Sequence, residues 1–300
     1  MKAEIVICAI ARCENLYIKE WVDYHLGMGF THIYIYDNNR QGEERLTDVL
    51  STDNSYDNSV TIIPFHDVVD WPQMIAYEEF WEKFKFDYVL YIDIDEFFTF
   101  GPKWGGPKNV AAFVEFFSQK ADAVLLNWMI YGDNGEIQYA PNNVIDRFPS
   151  PLPLTFSRDN MWGKQPMNGH VKTMVKHTAD FTIAGPHVGR GDYVCCNADG
   201  DIVENKPWTS NPVYSNVYIR HYITKSIREF IDMKAGRGLG DRKDGTTYAF
   251  SEFFAFNKPT IRKIIIFRKA CKQRGIKGKP LKWWIKLYVK HWIITPLFVR

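Results

Sequence analysis

Three carboxylates, Asp93, Asp95 and Glu96, follow directly on an apolar run that begins at Tyr88. Asp93 and Asp95 are two residues apart, so on a strand both would project to the same side of a sheet. Two hard oxygen ligands on one side suit Mg²⁺ or Mn²⁺, and an ion held by so few protein groups keeps positions open for phosphate oxygens. A solvated strand end would show the same spacing, but the apolar residues on both flanks favour a cation partner for the acids.

Apolar segments alternate over the first hundred residues as strand–helix–strand units do. The predicted strands are Ile5–Ala11, Thr31–Tyr36, Val60–Pro64 and Tyr88–Asp93, and the predicted helices are Glu14–Met28, Leu46–Leu50 and Pro72–Phe86. This order predicts an α/β fold with a Rossmann-like, mostly parallel sheet flanked by helices. Right-handed crossovers then place the carboxyl ends of the strands along one edge.

That edge collects polar residues from distant parts of the sequence. Besides Asp93 and Asp95 they are Arg12, Glu14, Asp37 and Asn38. We expect a nucleotide site there, although an ion pair of Arg12 with Glu14 and an Asx turn at Asp37 are the structural alternatives. No G-x-G-x-x-G follows the first strand and no P-loop motif occurs, so phosphate charge would be met by a metal.

The second hundred residues continue the alternation less regularly. We predict a helix at Val110–Gln119 and strands at Ala123–Trp128, Val171–Val175, Phe181–Ile183 and Val217–Tyr222. The proline-rich residues 140–170 show little periodicity and predict a long loop over the site.

The end of the chain differs in charge. Thirteen of the 37 Lys and Arg residues lie between Phe253 and Arg300, and none of the 35 Asp and Glu residues does. One helical face carries Lys279, Lys282, Lys286 and Lys290, and another carries Leu281, Trp284, Ile285, Tyr288 and Trp292. We therefore expect a catalytic domain at 1–250, with a nucleotide-binding half at 1–100 and an acceptor half at 101–250, followed by a basic amphipathic helical tail at 251–300.

This tail predicts association with an anionic membrane surface without a membrane-spanning segment. A helix docked on the protein with its lysines in water is the alternative. Binding to nucleic acid is not expected, because no recognised motif accompanies the charge.

Five cysteines, an odd number without a C-x-x-C pair, argue against a disulfide framework and a zinc site. The first apolar run is interrupted by Glu4 and followed by Arg12, which is a poor signal peptide. We expect a cytoplasmic protein, peripheral at the inner face of the cell membrane.

Five segments, in this order, resemble the glycosyltransferase family 2 and family 92-like group over roughly residues 4–240. They are Ala11-Arg-Cys-Glu-Asn15, Glu20-Trp-Val-Asp-Tyr-His-Leu-Gly-Met-Gly29, Ile33-Tyr-Ile-Tyr-Asp-Asn-Asn39, Tyr91-Ile-Asp-Ile-Asp-Glu-Phe97, and His221-Tyr-Ile-Thr-Lys-Ser226 with Arg237-Gly238. The resemblance implies a GT-A-like fold, a nucleotide-sugar donor, a divalent metal (Mn²⁺ or Mg²⁺) held through D-x-D, and inversion at the anomeric carbon.

The resemblance also suggests roles for individual residues. Asp95 is the expected direct metal ligand, whereas Asp93 is expected to face the ribose or the water shell of the metal. Arg12 and Asp37 match the places where this fold holds the base and the ribose. His187 and His221 are alternative further metal ligands.

Other groups are assigned on their chemistry. Lys172 is expected to neutralise phosphate charge. Asp133, with Glu136 as its competitor, is the expected general base on the acceptor side. Trp128, Tyr131 and Trp162 are candidates for stacking on sugar rings, although the core has an equal claim on Trp128.

These observations predict a metal-dependent inverting transferase that moves a hexose from a nucleotide sugar, a UDP-sugar, to a surface polysaccharide or lipid-linked glycan. A sugar nucleotidyltransferase is a second candidate, but Ala9–Arg12 lacks the glycine-rich loop that it needs. A non-catalytic membrane-surface scaffold or glycan-binding protein is a third.

Overall fold

The computed structural model describes residues 3–50, 56, 58–160, 163–235, 237–246, 249, 252–276 and 279–289. Contacts divide the chain into two compact units. Unit 1 comprises Met1–Ile130, Leu152–His221 and Leu239–Thr246, and unit 2 comprises Tyr131–Pro151, Tyr222–Gly238 and Thr247–Arg300. The sequence predicted a boundary at residue 250, whereas the contacts group the C-terminal segment with two earlier stretches of chain.

The described strands all belong to unit 1. They are β1 (Ile5–Ala11), β2 (His32–Asp37), β3 (Val60–Pro64), β4 (Tyr88–Tyr91), β5 (Glu96–Phe100), β6 (Ala123–Ile130), β7 (Ser157–Asn160), β8 (Gly163–Pro166), β9 (Val171–Lys176), β10 (Thr182–Ile183), β11 (Gly189–Arg190), β12 (Cys195–Asn197), β13 (Ile202–Val203) and β14 (Val217–His221).

Helices occur in both units. Unit 1 contains α1 (Ile18–Gly27), α2 (Leu46–Leu50), α3 (Pro72–Lys83), α4 (Val110–Phe117) and a 3₁₀ turn at Met167–Gly169. Unit 2 contains α5 (Val144–Arg147), α6 (Ile227–Glu229), a π-helical turn at Phe230–Lys234, α7 (Phe253–Phe256), α8 (Ile261–Gln273) and α9 (Leu281–Val289).

The main sheet of unit 1 has the order β13-β12-β6-β9-β4-β1-β2-β3, and β14 joins it through β6 and β5. Strands β3, β2, β1 and β4 are parallel to one another, and β9 runs antiparallel between β4 and β6. The predicted α/β fold with a mostly parallel sheet is therefore confirmed. The parallel half carries its strand ends on one edge, where open sheets bind ligands.

Burial on both faces explains why β1 is an unbroken apolar run. Its residues from Ile5 to Ala9 are at most 1% exposed, as expected for a central strand covered by helices on both sides. The following helix ends where the sequence predicts. Gly27 is its last residue, and Gly29 adopts a φ of +92°, a conformation that only glycine reaches without strain.

The fourth strand is shorter than predicted. It ends at Tyr91, so Asp93 and Asp95 lie in the turn between β4 and β5 and not on a strand. The turn is closed from both sides, because the amide of Asp93 donates to Oε2 of Glu96 at 2.8 Å and the amide of Glu96 donates to the carbonyl of Asp93 at 3.0 Å. The expectation that both aspartates project to the same side of a strand is wrong for this reason.

Residues 140–170 are also more structured than the predicted long loop. They contain α5 and the antiparallel hairpin of β7 and β8. The strands of this hairpin are short and polar. They lack the alternation of apolar and polar residues from which a strand is predicted.

Unit 2 has a core of its own under the C-terminal helices. Phe253 and Phe254 of α7, Phe267 of α8 and Trp284 of α9 are all buried in one apolar cluster. The predicted helical tail thus contains α7, α8 and α9, with Lys290 and Trp292 outside the described residues. None of the helices that the structure describes combines the length and the hydropathy that a bilayer crossing requires.

Candidate active site

The turn from Asp93 to Glu96 forms the centre of the candidate site in unit 1. Both oxygens of Asp93 accept hydrogen bonds: Oδ1 from the Gln73 amide at 2.6 Å, and Oδ2 from Nζ of Lys172 at 2.9 Å. Gln73 lies in the first turn of α3 and Lys172 on β9. The parallel β1–β4 pair and the antiparallel β4–β9 pair bring these elements to the end of β4.

Lys172 is wholly buried and also lies 3.3 Å from Oε2 of Glu96, whose side chain is likewise buried. Burial by itself lowers the pKa of Lys172, but Asp93 and Glu96 outweigh burial and raise that pKa above its ordinary value. Burial raises the pKa of Glu96 to about 8, with Asp93 and Asp95 acting in the same direction and Lys172 against it. Lys172 therefore stays charged at neutral pH and compensates the buried acids.

Asp95 has a different partner from Asp93. Its Oδ1 lies 3.5 Å from Nε2 of His221, and both side chains are less than a tenth exposed. His221 ends β14, where the antiparallel register places it opposite Glu96 of β5. Nδ1 of His221 lies 3.9 Å from Oε1 of Glu96. The pairing of β14 with β5 therefore brings a residue from position 221 to the aspartate turn.

Three imidazoles surround Trp128 on the neighbouring strand β6. The ring centroids of His221, His170 and His187 lie 4.3, 4.9 and 5.1 Å from that of Trp128. His170 is stacked on the indole face, so this face is covered, and stacking of Trp128 on a sugar stays a prediction. Trp162, the other predicted stacking tryptophan of this region, lies outside the described residues.

His187 is held as a neutral imidazole. Its Nδ1 lies 2.8 Å from the carbonyl of Val171 and must donate to it, which leaves the lone pair on Nε2. Burial, together with the charge of Lys172, lowers the pKa of His187 to about 3. Both histidines predicted as metal ligands therefore lie beside Trp128, and His221 also contacts Asp95.

A divalent metal fits part of this arrangement. No group of three or more His, Cys, Asp or Glu side chains is placed to hold an ion among the residues that the structure describes. Asp95 and His221 form a carboxylate–imidazole pair, a donor set that suits Mn²⁺ or Mg²⁺ when phosphate and water fill the other positions. Asp93 already has a partner on each oxygen, which agrees with its expected indirect role.

The predicted nucleotide contacts at the ends of β1 and β2 carry structural bonds of their own. Arg12 forms a bidentate ion pair with Glu43, at 3.1 and 2.8 Å. Asp37 accepts from the amide of Asn39 and from the amide of Leu46, both at 3.0 Å. The first bond is the Asx turn considered from the sequence, and the second fixes the start of α2.

Asn38 and Glu14 are also buried at this edge. The Asn38 amide donates to the carbonyls of Phe65 and Val68, at 2.7 and 2.9 Å. The carbonyl of Glu14 accepts from the amides of Tyr17 and Ile18 ahead of α1. Each residue thus shapes a loop that leaves the parallel sheet, and its role toward a nucleotide stays a prediction.

Asp133, the expected general base, belongs to unit 2. Its carboxylate is paired with Nζ of Lys263, at 2.7 Å from Oδ1 and 2.5 Å from Oδ2. Oδ1 also accepts from the amide of Gly135, and the amide of Asp133 donates to Oδ1 of Asn257. These contacts give Asp133 a structural role in the turn, and its catalytic role stays a prediction. Tyr131, buried in the same unit, packs 4.7 Å from Tyr222.

Two residues of the site, Glu96 and Gln73, were given no role in the sequence analysis. Glu96 follows the D-x-D spacing directly and is wholly buried, yet an acid next to two others shows no spacing of its own. Gln73 follows a Trp-Pro pair at the start of a helix, and an amide there carries no distinctive signal. Burial of a third acid beside a buried lysine is visible only once β4, β5 and β9 are assembled.

Comparison with known proteins gives one match in sequence and several distant likenesses in structure. Residues 4–144 match the sequence model of Glycosyltransferase family 92. No curated protein sequence matches the chain.

The solved structures that it resembles include HddC from Yersinia pseudotuberculosis, with 11% identity and a TM-score of 0.34 over 58% of this chain and 77% of HddC. S. aureus TarS 1-349 in complex with UDP-GlcNAc shows 11% identity and a TM-score of 0.35 over 96% of this chain and 81% of that one. S. aureus TarS shows 12% identity and a TM-score of 0.36, over 77% and 38%. Scores this low carry no argument about the site.

The matched segment contains β1 to β6 and the turn that bears Asp93, Asp95 and Glu96. Over residues 4–144 the resemblance predicted from the sequence motifs is therefore confirmed, and the chain is a glycosyltransferase whose first half is similar to Glycosyltransferase family 92.

Proposed function

We propose that this glycosyltransferase transfers a hexose from a nucleotide sugar, a UDP-sugar, to a surface polysaccharide or lipid-linked glycan, with inversion and with Mn²⁺ or Mg²⁺. The observation that carries the proposal is the contact of Asp95 with His221 beside the wholly buried Lys172–Glu96 pair. This group of side chains lies at the carboxyl end of the parallel strand β4, where ligands of open α/β sheets bind.

In this proposal Asp95 and His221 hold the metal, whose charge would stabilise the negative charge that develops on the leaving diphosphate. Asp93 has no share in direct ligation, because Gln73 and Lys172 occupy its oxygens. Gln73 and Lys172 instead fix the carboxylate of Asp93, so that it can receive the ribose or a metal-bound water in one orientation. Lys172 keeps a positive charge near the phosphates.

Arg12, Glu14, Asp37 and Asn38 are proposed to line the base and ribose side. Their position supports this proposal, since all four lie at or just after the ends of β1 and β2, and β1 pairs in parallel with β2 on one side and with β4 on the other. The ion pair of Arg12 with Glu43 is half-buried, so Arg12 is held in one place without being removed from solvent.

Asp133 is proposed as the general base. Nζ of Lys263 contacts both oxygens of Asp133 and so holds the carboxylate in one orientation. Replacing Asp133 by Asn should lower the turnover of UDP-hexose by about two orders of magnitude and leave UDP affinity unchanged. An equal loss of turnover and of UDP affinity would show that the residue only supports the turn.

The proposed place of action is the inner face of the cell membrane, with the basic C-terminal segment on the lipid. Four buried thiols, Cys8, Cys195, Cys196 and Cys271, are not in disulfides, which supports a reducing compartment.

The decisive experiment is calorimetric titration of UDP, GDP and CMP into the protein with Mn²⁺ and with a chelator. We expect UDP to bind only with metal, and we expect Asp95→Asn to abolish this metal-dependent UDP binding. Asp192→Asn, which changes an exposed aspartate of the same unit, serves as the control. If the folded protein binds none of the nucleotides, the transferase site is wrongly placed and a non-catalytic scaffold becomes the better account.

A further inference from the structure

The C-terminal helices of unit 2 carry basic side chains that the unit's own acids neutralise only in part. Lys263 pairs with Asp133, and Arg274 pairs with Asp232. The exposed bases of α8, α9 and the connection between them include Arg262, Arg268, Lys269, Lys272, Lys279, Lys282 and Lys286. No acid occurs after Glu252. The surface of these helices is therefore strongly positive.

Part of this charge surrounds a groove, which we call the basic groove. Its cavity of about 570 Å³ is lined by Arg268, Lys269, Cys271, Lys272, Gly275, Ile276, Lys279 and Trp284. Four cationic side chains thus surround a floor that includes a thiol, an isoleucine and an indole. The indole is fixed, because Nε1 of Trp284 donates to the carbonyl of Lys279 at 3.0 Å. An anionic phosphate with an apolar attachment matches this combination of charge and floor.

Exposed aliphatic side chains lie on the same two helices. Ile261 and Ile265 of α8 are 60% and 59% exposed, and Leu281 and Ile285 of α9 are 55% and 54% exposed. Within each helix the two residues are four positions apart and share one face. We call these four residues the aliphatic edge. Aliphatic side chains flanked by lysines and arginines are typical of helices that lie in a lipid interface.

Of the two tryptophans that the sequence assigned to the membrane contact, Trp292 lies outside the described residues and Trp284 has a different role. Trp284 is 3% exposed and packs against Phe254 and Phe267 in the core of unit 2. It stabilises the fold from within, and only the part of its indole that lines the basic groove can contact lipid.

We propose that the basic groove binds the phosphate of an anionic phospholipid while the aliphatic edge enters the acyl boundary of the same membrane. The proposal rests on the membrane location proposed above and names the surface and the lipid chemistry responsible for it. The charge of the groove selects an anion, and the aliphatic edge selects a lipid over a phosphate in solution, because only a lipid surface buries those side chains.

The test is sedimentation of the full chain with vesicles of phosphatidylcholine alone or with phosphatidylglycerol. We expect binding only to the anionic vesicles. A groove variant, Lys269→Glu with Lys272→Glu, should weaken binding at least tenfold. An edge variant, Ile261→Gln with Ile285→Gln, should also weaken binding at least tenfold, without any change in net charge. Glutamine keeps the helix propensity of these exposed positions.

Matched control variants are available in unit 1. Lys103→Glu with Lys108→Glu makes the same change in net charge at exposed positions, and Leu154→Gln with Ile202→Gln removes two equally exposed aliphatic side chains. Both controls should bind vesicles as the unaltered protein does. The proposal is overturned if the groove or edge variant binds like its control, or if single-stranded DNA binds the protein as tightly as the anionic vesicles do at the same ionic strength.

Nucleotide titration without vesicles separates this inference from the proposed function. Variants that lose vesicle binding should keep metal-dependent UDP binding. Loss of UDP binding in the unaltered protein would contradict the proposed donor site and leave the lipid surface intact.

Discussion

Nζ of Lys172 lies 2.9 Å from Oδ2 of Asp93, and no part of the lysine side chain reaches solvent. Lys172→Met would leave Asp93 and Glu96 beside each other without a cation. We expect it to destabilise the protein by about 1.5–3 kcal/mol, because Oδ2 of Asp93 and Oε2 of the buried Glu96 lose their cationic partner. Urea unfolding measures the change. Lys176→Met, on the same strand, is the control and should cost less than about 1 kcal/mol; equal effects would contradict the pairing.

We expect replacement of His221 and replacement of His187 to affect metal-dependent UDP binding differently. Because Nε2 of His221 lies 3.5 Å from Oδ1 of Asp95, we expect His221→Ala to weaken Mn²⁺-dependent UDP binding by at least about tenfold. His187→Ala should change that affinity by less than about threefold, because Asp95 and His221 are the proposed ligands, even though Nε2 of His187 keeps its lone pair. Calorimetric titration of both variants decides between them, and the reverse order would assign the metal to His187.

The buried side chain of His25 should make the stability of the fold fall at acidic pH. Its Nδ1 donates to the carbonyl of Trp21 at 2.7 Å, and its Nε2 accepts from the amide of Phe98 at 3.2 Å. Burial lowers its pKa to about 3. Between that value and the ordinary pKa of the unfolded chain, only the unfolded state binds the proton.

The free energy of unfolding should therefore fall as the pH falls below about 6.5, with His25 contributing up to about 1.4 kcal/mol per pH unit. Urea unfolding of the protein and of His25→Gln between pH 7.5 and 5 measures this slope. We expect the variant to be less stable at pH 7.5 and to lose less stability on acidification. Parallel curves would show that His25 is not the proton site.

The Arg147–Glu229 pair predicts a large stability effect in unit 2. The guanidinium donates to both carboxylate oxygens, at 2.8 and 2.6 Å, and both side chains are at most 5% exposed. Arg147→Met should cost about 3–5 kcal/mol in urea unfolding. The surface pair of Lys83 with Glu79 provides the comparison, and Lys83→Met should cost less than about 1 kcal/mol.

The parallel half of the sheet was predictable because its signals are local. The apolar runs of β1 and β2 and the glycine after α1 each act within a few residues. Strand β5 was missed because it begins with the charged Glu96 right after the aspartates. Its main partner, β14, lies more than a hundred residues further along the chain, where spacing gives no information.

The site was predictable in its acids and not in its partners. Asp93 and Asp95 stand out by spacing, but the sequence gives them the same environment. In the structure Asp93 is a third exposed and held by Lys172, whereas Asp95 is almost wholly buried beside His221. Lys172 is 79 positions from Asp93, and His221 is 126 positions from Asp95. These partners come together only through the order of the strands in the sheet.

The three-part composition of unit 2 restricts how this enzyme can be recombined with a relative. Its apolar cluster joins Ile227, Phe230 and Ile231 to α7, α8 and α9, with Ile137 packed against it. A chimera that exchanges only the last fifty residues would pack the helices of the relative against Ile227, Phe230 and Ile231 of this chain. A functional hybrid needs joint exchange of residues 131–151, 222–238 and 247–300, so these separated stretches are expected to have been inherited together.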